Sequence, residues 1–291
     1  MENSQMNIQW YPGHMTKTRR QIEADLKLVD AVCEIVDARI PVSSRNPDID
    51  AICGSKPRII VLNRMDLADP SATKRWMAYF RSKGIAAIAT DCKSRKGIAD
   101  FQPAVRSVLK EKIEHNISRG MNRPVRVMVV GIPNVGKSTL INQISGRKGA
   151  KAENRPGVTR GKQWVTVDNG LLLLDTPGIL WPKFEDPEVG MMLAYTGAVK
   201  ENVIDTEELA CRLMELLWRL YPGTVQDRYK VVDIPQDAPG YQLLEEAGRK
   251  RGYLLSRGEV HTERMAKVLL DEYRSGKLGY FTLEEPEEKY E

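Results

Sequence analysis

Short apolar runs alternate with longer amphipathic stretches through the first two thirds of the chain. Ala31–Val36, Pro57–Leu62, Ile85–Ala89 and Val125–Val130 have the length and composition of buried strands. Between them the spacing predicts helices. One runs from Lys17 to about Leu28, with Thr16 as its cap and Ile22, Leu26 and Val29 on one face. A second is opened by Pro70 and carries Trp76, Tyr79 and Phe80; a third passes through Val105, Val108, Leu109 and Ile113. Pro41 and Asn46-Pro47 mark an irregular loop, and His115–Arg123 reads as a polar link. Strands alternating with helices predict an α/β fold, a mostly parallel sheet with helices on both faces. Further on, Gln163–Val167 and Leu171–Leu174 bracket Asp168-Asn169-Gly170, a hairpin signal. From Asp205 the period becomes helical, through Leu209, Leu213, Leu216, Leu217 and Leu220, then Leu243–Leu254 and Met265–Tyr273. The predicted organisation is an α/β domain over 1–204 that includes an N-terminal segment 1–30, a small α-helical domain over 205–283, and an acidic tail, 284–291.

Composition narrows the class. At 291 residues and 42% hydrophobic content the chain can bury two ordinary cores. No apolar run approaches the roughly 18 residues a membrane span needs, and Met1–Gln9 lacks the apolar centre of a signal peptide. Cys33, Cys53, Cys92 and Cys211 show no metal spacing and read as reduced thiols. The expectation is a cytoplasmic protein with no membrane partner, monomeric when free. Net charge is +5, unevenly spread: residues 1–204 hold 31 Lys+Arg against 21 Asp+Glu, and residues 205–291 hold 13 against 18. Two readings stand, a polyanion-docking surface on the basic part or an ordinary solvated surface.

The sharpest chemistry lies at Gly131–Thr139, G-I-P-N-V-G-K-S-T, between a strand run and the helical spacing of Leu140, Ile141 and Ile144. That context is the one a phosphate-binding loop requires. Gly131 and Gly136 let successive N–H groups turn inward on an anion, and the helix after the loop adds its positive end. Asn134, Val135, Gly136, Lys137, Ser138 and Thr139 would surround the phosphates, Lys137 reaching the β- and γ-phosphates and Ser138 ligating Mg²⁺.

Other motifs also follow strands. Asn63-Arg64-Met65-Asp66 closes the second run. A carboxylate at Asp66 accepts from guanine N1–H and the exocyclic amine, which adenine does not offer together. Asn63 would brace this loop and Arg64 lie beside the purine. Asp91-Cys92-Lys93 follows the next strand and would present backbone to guanine O6, with Cys92 equally readable as a small buried loop residue. Asp175 and Gly178 of D-T-P-G fit a nucleotide switch: Asp175 on a Mg²⁺-bound water, the Gly178 amide on the γ-phosphate. Thr159, in the basic turn-rich stretch Gly146–Lys162, is the candidate second Mg²⁺ ligand, or else a turn residue.

The order is unusual, because the base-reading motifs N-R-M-D and D-C-K precede the phosphate loop. With W-Y-P-G-H-M at Trp10–Met15 and D-A-R-I-P at Asp37–Pro41, it closely resembles circularly permuted Ras-like GTPases, specifically the ribosome biogenesis GTPase A family. Arg64 stands where the family usually has Lys, and Asp91-Cys92 replaces its commoner Asn/Ser-Ala. The resemblance implies a permuted GTPase domain with a helical extension, and GTP binding and hydrolysis. It also implies a role in large-subunit assembly, with rRNA and ribosomal proteins as partners and turnover stimulated by the particle. The alternative is an RNA-binding protein with a weakly hydrolysing, regulatory guanine nucleotide site. Asn134 sits where several similar GTPases bind K⁺, against a loop-bracing role. The position after D-T-P-G is Ile179, which has no polar atom to orient water. His14, in the matching N-terminal element, is the candidate catalytic group, against a packing or RNA-contact role.

Overall fold

The run Ala31–Val36 forms β1 (Ala31–Asp37), buried along its whole length in the computed structural model of the chain. Residues 15–121, 123–146, 163–167, 170–178, 186–199 and 205–286 are described. They fall into two compact units, one of Gln9–Lys183 with Glu284–Glu291 and the other containing Phe184–Leu283.

In the first unit α1 (Met15–Leu26) precedes β1, and α2 (Asp48–Cys53), β2 (Arg58–Asn63), α3 (Pro70–Ser82), β3 (Ala86–Thr90), α4 (Phe101–Val108), α5 (Lys110–Ser118), β4 (Val125–Gly131), α6 (Lys137–Ser145), β5 (Gln163–Val167) and β6 (Leu171–Asp175) follow. The strands form one sheet in the order β3-β2-β1-β4-β6-β5, parallel except for the β5–β6 hairpin. The chain steps from β1 to β2 and β3 on one side, then returns to β4 on the other. Between the ends of β1 and β4 it therefore opens the crevice where open α/β sheets take ligands.

Side-chain alternation divides the core. Val32, Met128, Val130 and Leu174 pack with Ile22 and Leu26 of α1 and Ile49 and Cys53 of α2. Further along the sheet, Val36, Ile60, Leu62 and Ala87 pack with Trp76 and Phe80 of α3. Both α3 and α4 touch β2 and β3, and Ile59 and Val61, which alternate with Ile60 and Leu62, are buried too, so both faces of β2 are covered. A strand covered on both faces reads as a continuous apolar run, as β1 and β2 do.

Some expectations shift. Thr16 lies inside α1 rather than capping it. The third expected helix is two, α4 and α5, broken at Leu109 where φ is −106° and ψ is 16°, so His115 is helical rather than in a link. The loop after Pro41 contains α2, which no long apolar repeat announces in six residues.

In the second unit α7 (Pro187–Tyr195), capped by Asp186, packs on α8 (Thr206–Leu220), and Arg274 donates to the Tyr195 and Ala194 carbonyls at 2.9 and 2.7 Å. The helical unit thus begins before the boundary expected between 204 and 205. Asp205 caps α8 through the Glu207 and Glu208 amides. After α9 (Pro222–Tyr229), α10 (Gly240–Lys250) and α11 (Thr262–Ser275) close on α8 around Leu213, Leu217, Leu244, Met265 and Leu269. A Cβ on Gly240 would meet the Cys211 carbonyl, so only glycine lets α10 start this close to α8. The expected Leu243–Leu254 helix stops at Lys250; Gly252 turns left-handed (φ +69°), and Leu254 pairs with Val260 in a bridge.

The expected acidic tail is also revised at its start. Glu284 is only 7% exposed and belongs to the first unit. Its carboxylate accepts from the Val42 amide (2.6 Å), the Ser43 amide (3.1 Å) and the Ser43 hydroxyl. Trp76 donates from Nε1 to the Glu284 carbonyl at 2.9 Å, and Arg75 forks Glu285. Burial raises the Glu284 carboxyl from its ordinary 4.5 to about 7, opposed by the Ser43 hydroxyl and the Val42 and Ser43 amides and assisted by nearby Asp37. A folded value above the unfolded one means stability fully present below about pH 4.5 and lost as pH rises through 7. Glu284→Gln, which copies the neutral form, is expected to flatten that slope. Its thermal stability relative to the parent should gain on the order of 3 kcal/mol between pH 5 and 8. Parallel melting curves across that range would reject this.

Candidate functional site

Five strand ends, those of β1, β2, β3, β4 and β6, contribute to this edge of the sheet. β4 delivers Gly131, whose φ is +154° and where a Cβ would lie 2.6 Å from the Ile35 carbonyl of β1. The loop then turns through Asn134 (φ +61°) and Gly136 (φ +109°) into α6. At Gly136 a Cβ would run into the Asn63 side-chain nitrogen, so the glycine is what allows the end of β2 to touch the phosphate loop.

Asn63 uses that approach. Its Nδ2 donates to the Val135 carbonyl at 2.7 Å, and its Oδ1 accepts from the Thr90 hydroxyl at 3.2 Å. One buried amide thereby ties the ends of β2 and β3 to the loop after β4. The Met65 amide donates to the Thr90 carbonyl at 3.1 Å, which sets the approach of Asp66, a half-exposed carboxylate at the mouth. Arg64, at φ +62°, donates from one guanidinium nitrogen to the Asn134 carbonyl at 2.7 Å. Another guanidinium nitrogen of Arg64 stands 3.6 Å from Asp37 at the end of β1. Burial pushes the Asp37 carboxyl up, but the Arg39 guanidinium, bound at 2.9 and 2.7 Å, together with Arg64 holds it below the usual carboxylate range.

After β3, the Asp91 carboxylate accepts the Lys93 amide at 2.8 Å, and the Asp91 amide donates to the Lys96 carbonyl. This closes a tight turn beside the base-reading loop. Cys92 is buried there and its thiol is pushed up to about 11 by burial, which keeps it a neutral packing group. Lys93 is exposed.

At the phosphate end Lys137 is buried and donates to the Gly131 and Ile132 carbonyls at 3.0 and 2.8 Å. Burial lowers its ammonium to about 8, with Asp175 opposing. Asp175 closes β6; burial raises its carboxyl, with Lys137 and the Thr176 amide opposing. Its Oδ1 is buried and has no hydrogen-bond partner among the described residues. Thr176 fixes the switch to β4 through the Val129 carbonyl at 2.7 Å. Gly178 must be glycine, since a Cβ would lie 2.8 Å from Lys137 Nζ and 2.9 Å from the Pro133 backbone. Ser138 and Thr139 are half-exposed in the first turn of α6, and Asn134 is exposed. His14, Thr159 and Ile179 lie outside the described residues.

The structure therefore brings together Asn63–Asp66, Asp91–Lys93, Asn134–Thr139, Asp175 and Gly178 on one edge of one sheet. Sequence reasoning placed Asp37 and Arg39 at a strand end and used them for the family resemblance, but gave them no role at this edge. Their position directly after an apolar strand, like the other motifs, was the available signal.

The arrangement has relatives. The family model described as 50S ribosome-binding GTPase matches residues 126–218. Ribosome biogenesis GTPase A of Priestia megaterium is 47% identical, over 97% of this chain and 98% of that protein. Its counterpart in Thermotoga maritima is 33% identical, over 97% and 95%. The crystal structure of GNP-bound YlqF from T. maritima superimposes with a TM-score of 0.63 at 30% identity, covering 93% of this chain and 99% of that one. On the permuted order of its motifs and on likeness over nearly its full length, the chain belongs to the ribosome biogenesis GTPase A family of circularly permuted GTPases.

Proposed function

We propose that the chain is a GTP-hydrolysing switch that acts in assembly of the large ribosomal subunit, on a precursor particle of rRNA and ribosomal protein. The observation that carries this reading is the physical union of base-reading and phosphate loops through Asn63 and Arg64. Asp66 selects guanine, the Asp91–Lys93 turn covers its O6 side, and Asn134–Thr139 wrap the phosphates. The buried Asp175 oxygen, without a partner among the described residues, suits a water held by Mg²⁺, which Ser138 and Thr159 would ligate directly. Bound there, Mg²⁺ would supply charge neutralisation for the phosphates. Lys137, now spent on loop carbonyls, moves its donors to those phosphates, and the Gly178 amide reads the γ-phosphate. The intact set of Lys137, Ser138, Asp175 and Gly178 favours hydrolysis over a vestigial regulatory site. The protein works in the cytoplasm, as a monomer when free.

Docking is not a matter of bare charge in the helical unit. Within Arg249-Lys250-Arg251, Arg249 pairs with Glu245 and Glu246, Lys250 with Glu246, and Arg251 with Glu272 over the Tyr229 ring. RNA contact there requires those pairs to open.

The test is GTP turnover with and without large-subunit particles, in K⁺ or Na⁺ at equal ionic strength. Free protein is expected to turn over slowly, because Ile179 offers no group to water, and particles to accelerate it. A preference for K⁺ is expected if Asn134 helps hold a cation beside the phosphates, and indifference to the ion would reject that role. His14→Ala, at matched GTP and particle occupancy, is expected to lose most of the stimulation, on the order of a hundredfold for a general base or water-orienting group. Undiminished stimulation would assign the catalyst to the particle, and no stimulation of the parent protein would overturn the assembly reading.

A further inference from the structure

The loop after β1 is held from three sides. At its start the Ala38 amide donates to the Asn63 carbonyl at 2.8 Å, joining it to the base-reading loop. Inside it the Ser44 hydroxyl accepts the Asp37 amide at 2.9 Å and donates to the Ile40 carbonyl at 2.6 Å. At its far end Arg45 donates twice to Glu34, a buried carboxylate in the middle of β1. The turn leaves the Val42 and Ser43 amides pointing the same way. The Glu284 carboxylate fills that point, accepting both amides and the Ser43 hydroxyl. A charged acceptor on converging amides makes strong, short, geometrically demanding bonds.

What this turn presents to the nucleotide edge is Asp37. Its carboxylate takes the Arg39 amide, Nε and a terminal nitrogen, and faces Arg64. Arg64 in turn bridges to the Asn134 carbonyl of the phosphate loop. A planar guanidinium spans Asp37 and Asn134 at once with fixed donors, as a lysine's single ammonium at this position would not. Hydrogen bonds therefore run from Glu284 through the Val42–Ser44 turn to Asp37, and an ion pair at 3.6 Å continues from Asp37 to Arg64.

We propose that Glu284 is a positioning residue of the nucleotide site, holding the Asp37–Ser44 turn closed so that Arg64 stays braced across the base-reading and phosphate loops. It touches no nucleotide itself. The proposal rests on the reading of this edge as a guanine nucleotide site and adds a determinant nearly the whole chain away in sequence. The groups facing the carboxylate are the Val42 and Ser43 amides, the Ser43 hydroxyl and, through space, Asp37. Neutral or charged, Glu284 retains an acceptor for the turn, so Glu284→Gln keeps the brace, whereas Glu284→Ala leaves the buried Ser43 amide and the half-buried Val42 amide without it.

The experiment measures release of a fluorescent GDP, mant-GDP, from the full chain by stopped flow, with melting curves alongside. Glu284→Ala is expected to speed release on the order of tenfold. Glu284→Gln should stay within about twofold, and Glu285→Ala, which loses only an exposed fork with Arg75, should match the parent. Arg64→Ala is expected to speed release at least as much, and the double variant Glu284→Ala with Arg64→Ala to be no faster than Arg64→Ala alone. Release at the parent rate from Glu284→Ala, or effects that multiply in the double variant, overturns the proposal. Should Glu284→Ala not fold, Ser43→Ala takes its place in the same cycle, with a smaller acceleration expected and the same non-additivity. A parent protein that does not bind mant-GDP at all overturns the site reading itself, which separates the two failures.

Discussion

Asp66→Asn is expected to weaken GTP and GDP about a hundredfold while leaving the protein folded. The carboxylate stands half-exposed at the mouth of the site, on a loop tied to β3 through the Met65 amide and to the phosphate loop through Asn63. Because the loop is fixed on both sides, an amide there cannot swing away from guanine, and it turns a donor toward guanine's own donors. Losing paired acceptance and leaving a donor unsatisfied costs about 3 kcal/mol, which is roughly two decades in Kd. The same chemistry predicts partial rescue by a xanthine nucleotide, whose carbonyl replaces the exocyclic amine and accepts the new amide N–H. Equilibrium titration with both nucleotides checks it. Unchanged GTP affinity in a folded variant would sink the assignment of Asp66 to the base.

Lys137→Met should separate binding from stability. The ammonium is buried, lowered from 10.5 to about 8, and held by two backbone carbonyls with Asp175 nearby. Triphosphate binding loses its charge-assisted bonds, worth about 3 kcal/mol or more, so GTP affinity should fall at least a hundredfold. Nucleotide-free protein should not lose stability at pH 7. The sign follows from linkage: a lysine with a depressed folded pKa penalises folding below about 8, and the penalty lifts as pH rises from 8 toward 10.5. Methionine removes that penalty, so the parent but not the variant should gain stability across that interval. In the parent, GTP affinity should also fall as pH rises past 8, since binding then requires uptake of a proton. A variant that melts well below the parent at pH 7, or one that keeps its GTP affinity, contradicts the role given to Lys137.

The local signals of this chain were unusually complete for the nucleotide edge. Strand length and apolar runs are short-range properties, and the glycines at 131, 136 and 178 are visible as motif residues, although the approaches that demand them come from Ile35, Asn63, Lys137 and Pro133. A phosphate loop is encoded within nine residues, because backbone curvature and a helix start are decided by near neighbours. The permuted order of N-R-M-D, D-C-K, G-I-P-N-V-G-K-S-T and D-T-P-G was likewise legible from sequence alone. So were the buried strands β1 and β2 and the apolar faces of α1, α3, α8 and α11.

Other features needed the folded chain. The break between α4 and α5 at Leu109 carries no proline or glycine, so helix spacing runs through it unmarked. The six-residue α2 is too short for a period to register. Asp37, Arg39 and Arg64 make one charged cluster only because β1 and β2 are neighbours in register, Asp37 opposite Asn63. Glu284 is the clearest case: among five glutamates near the C-terminus, nothing local distinguishes it from the other four. Its partners at Val42, Ser43 and Trp76 lie more than two hundred residues away, and only tertiary packing brings amides, indole and carboxylate together. Composition reports charge, but whether a charge is solvated or buried against converging donors is decided by which surfaces the fold closes.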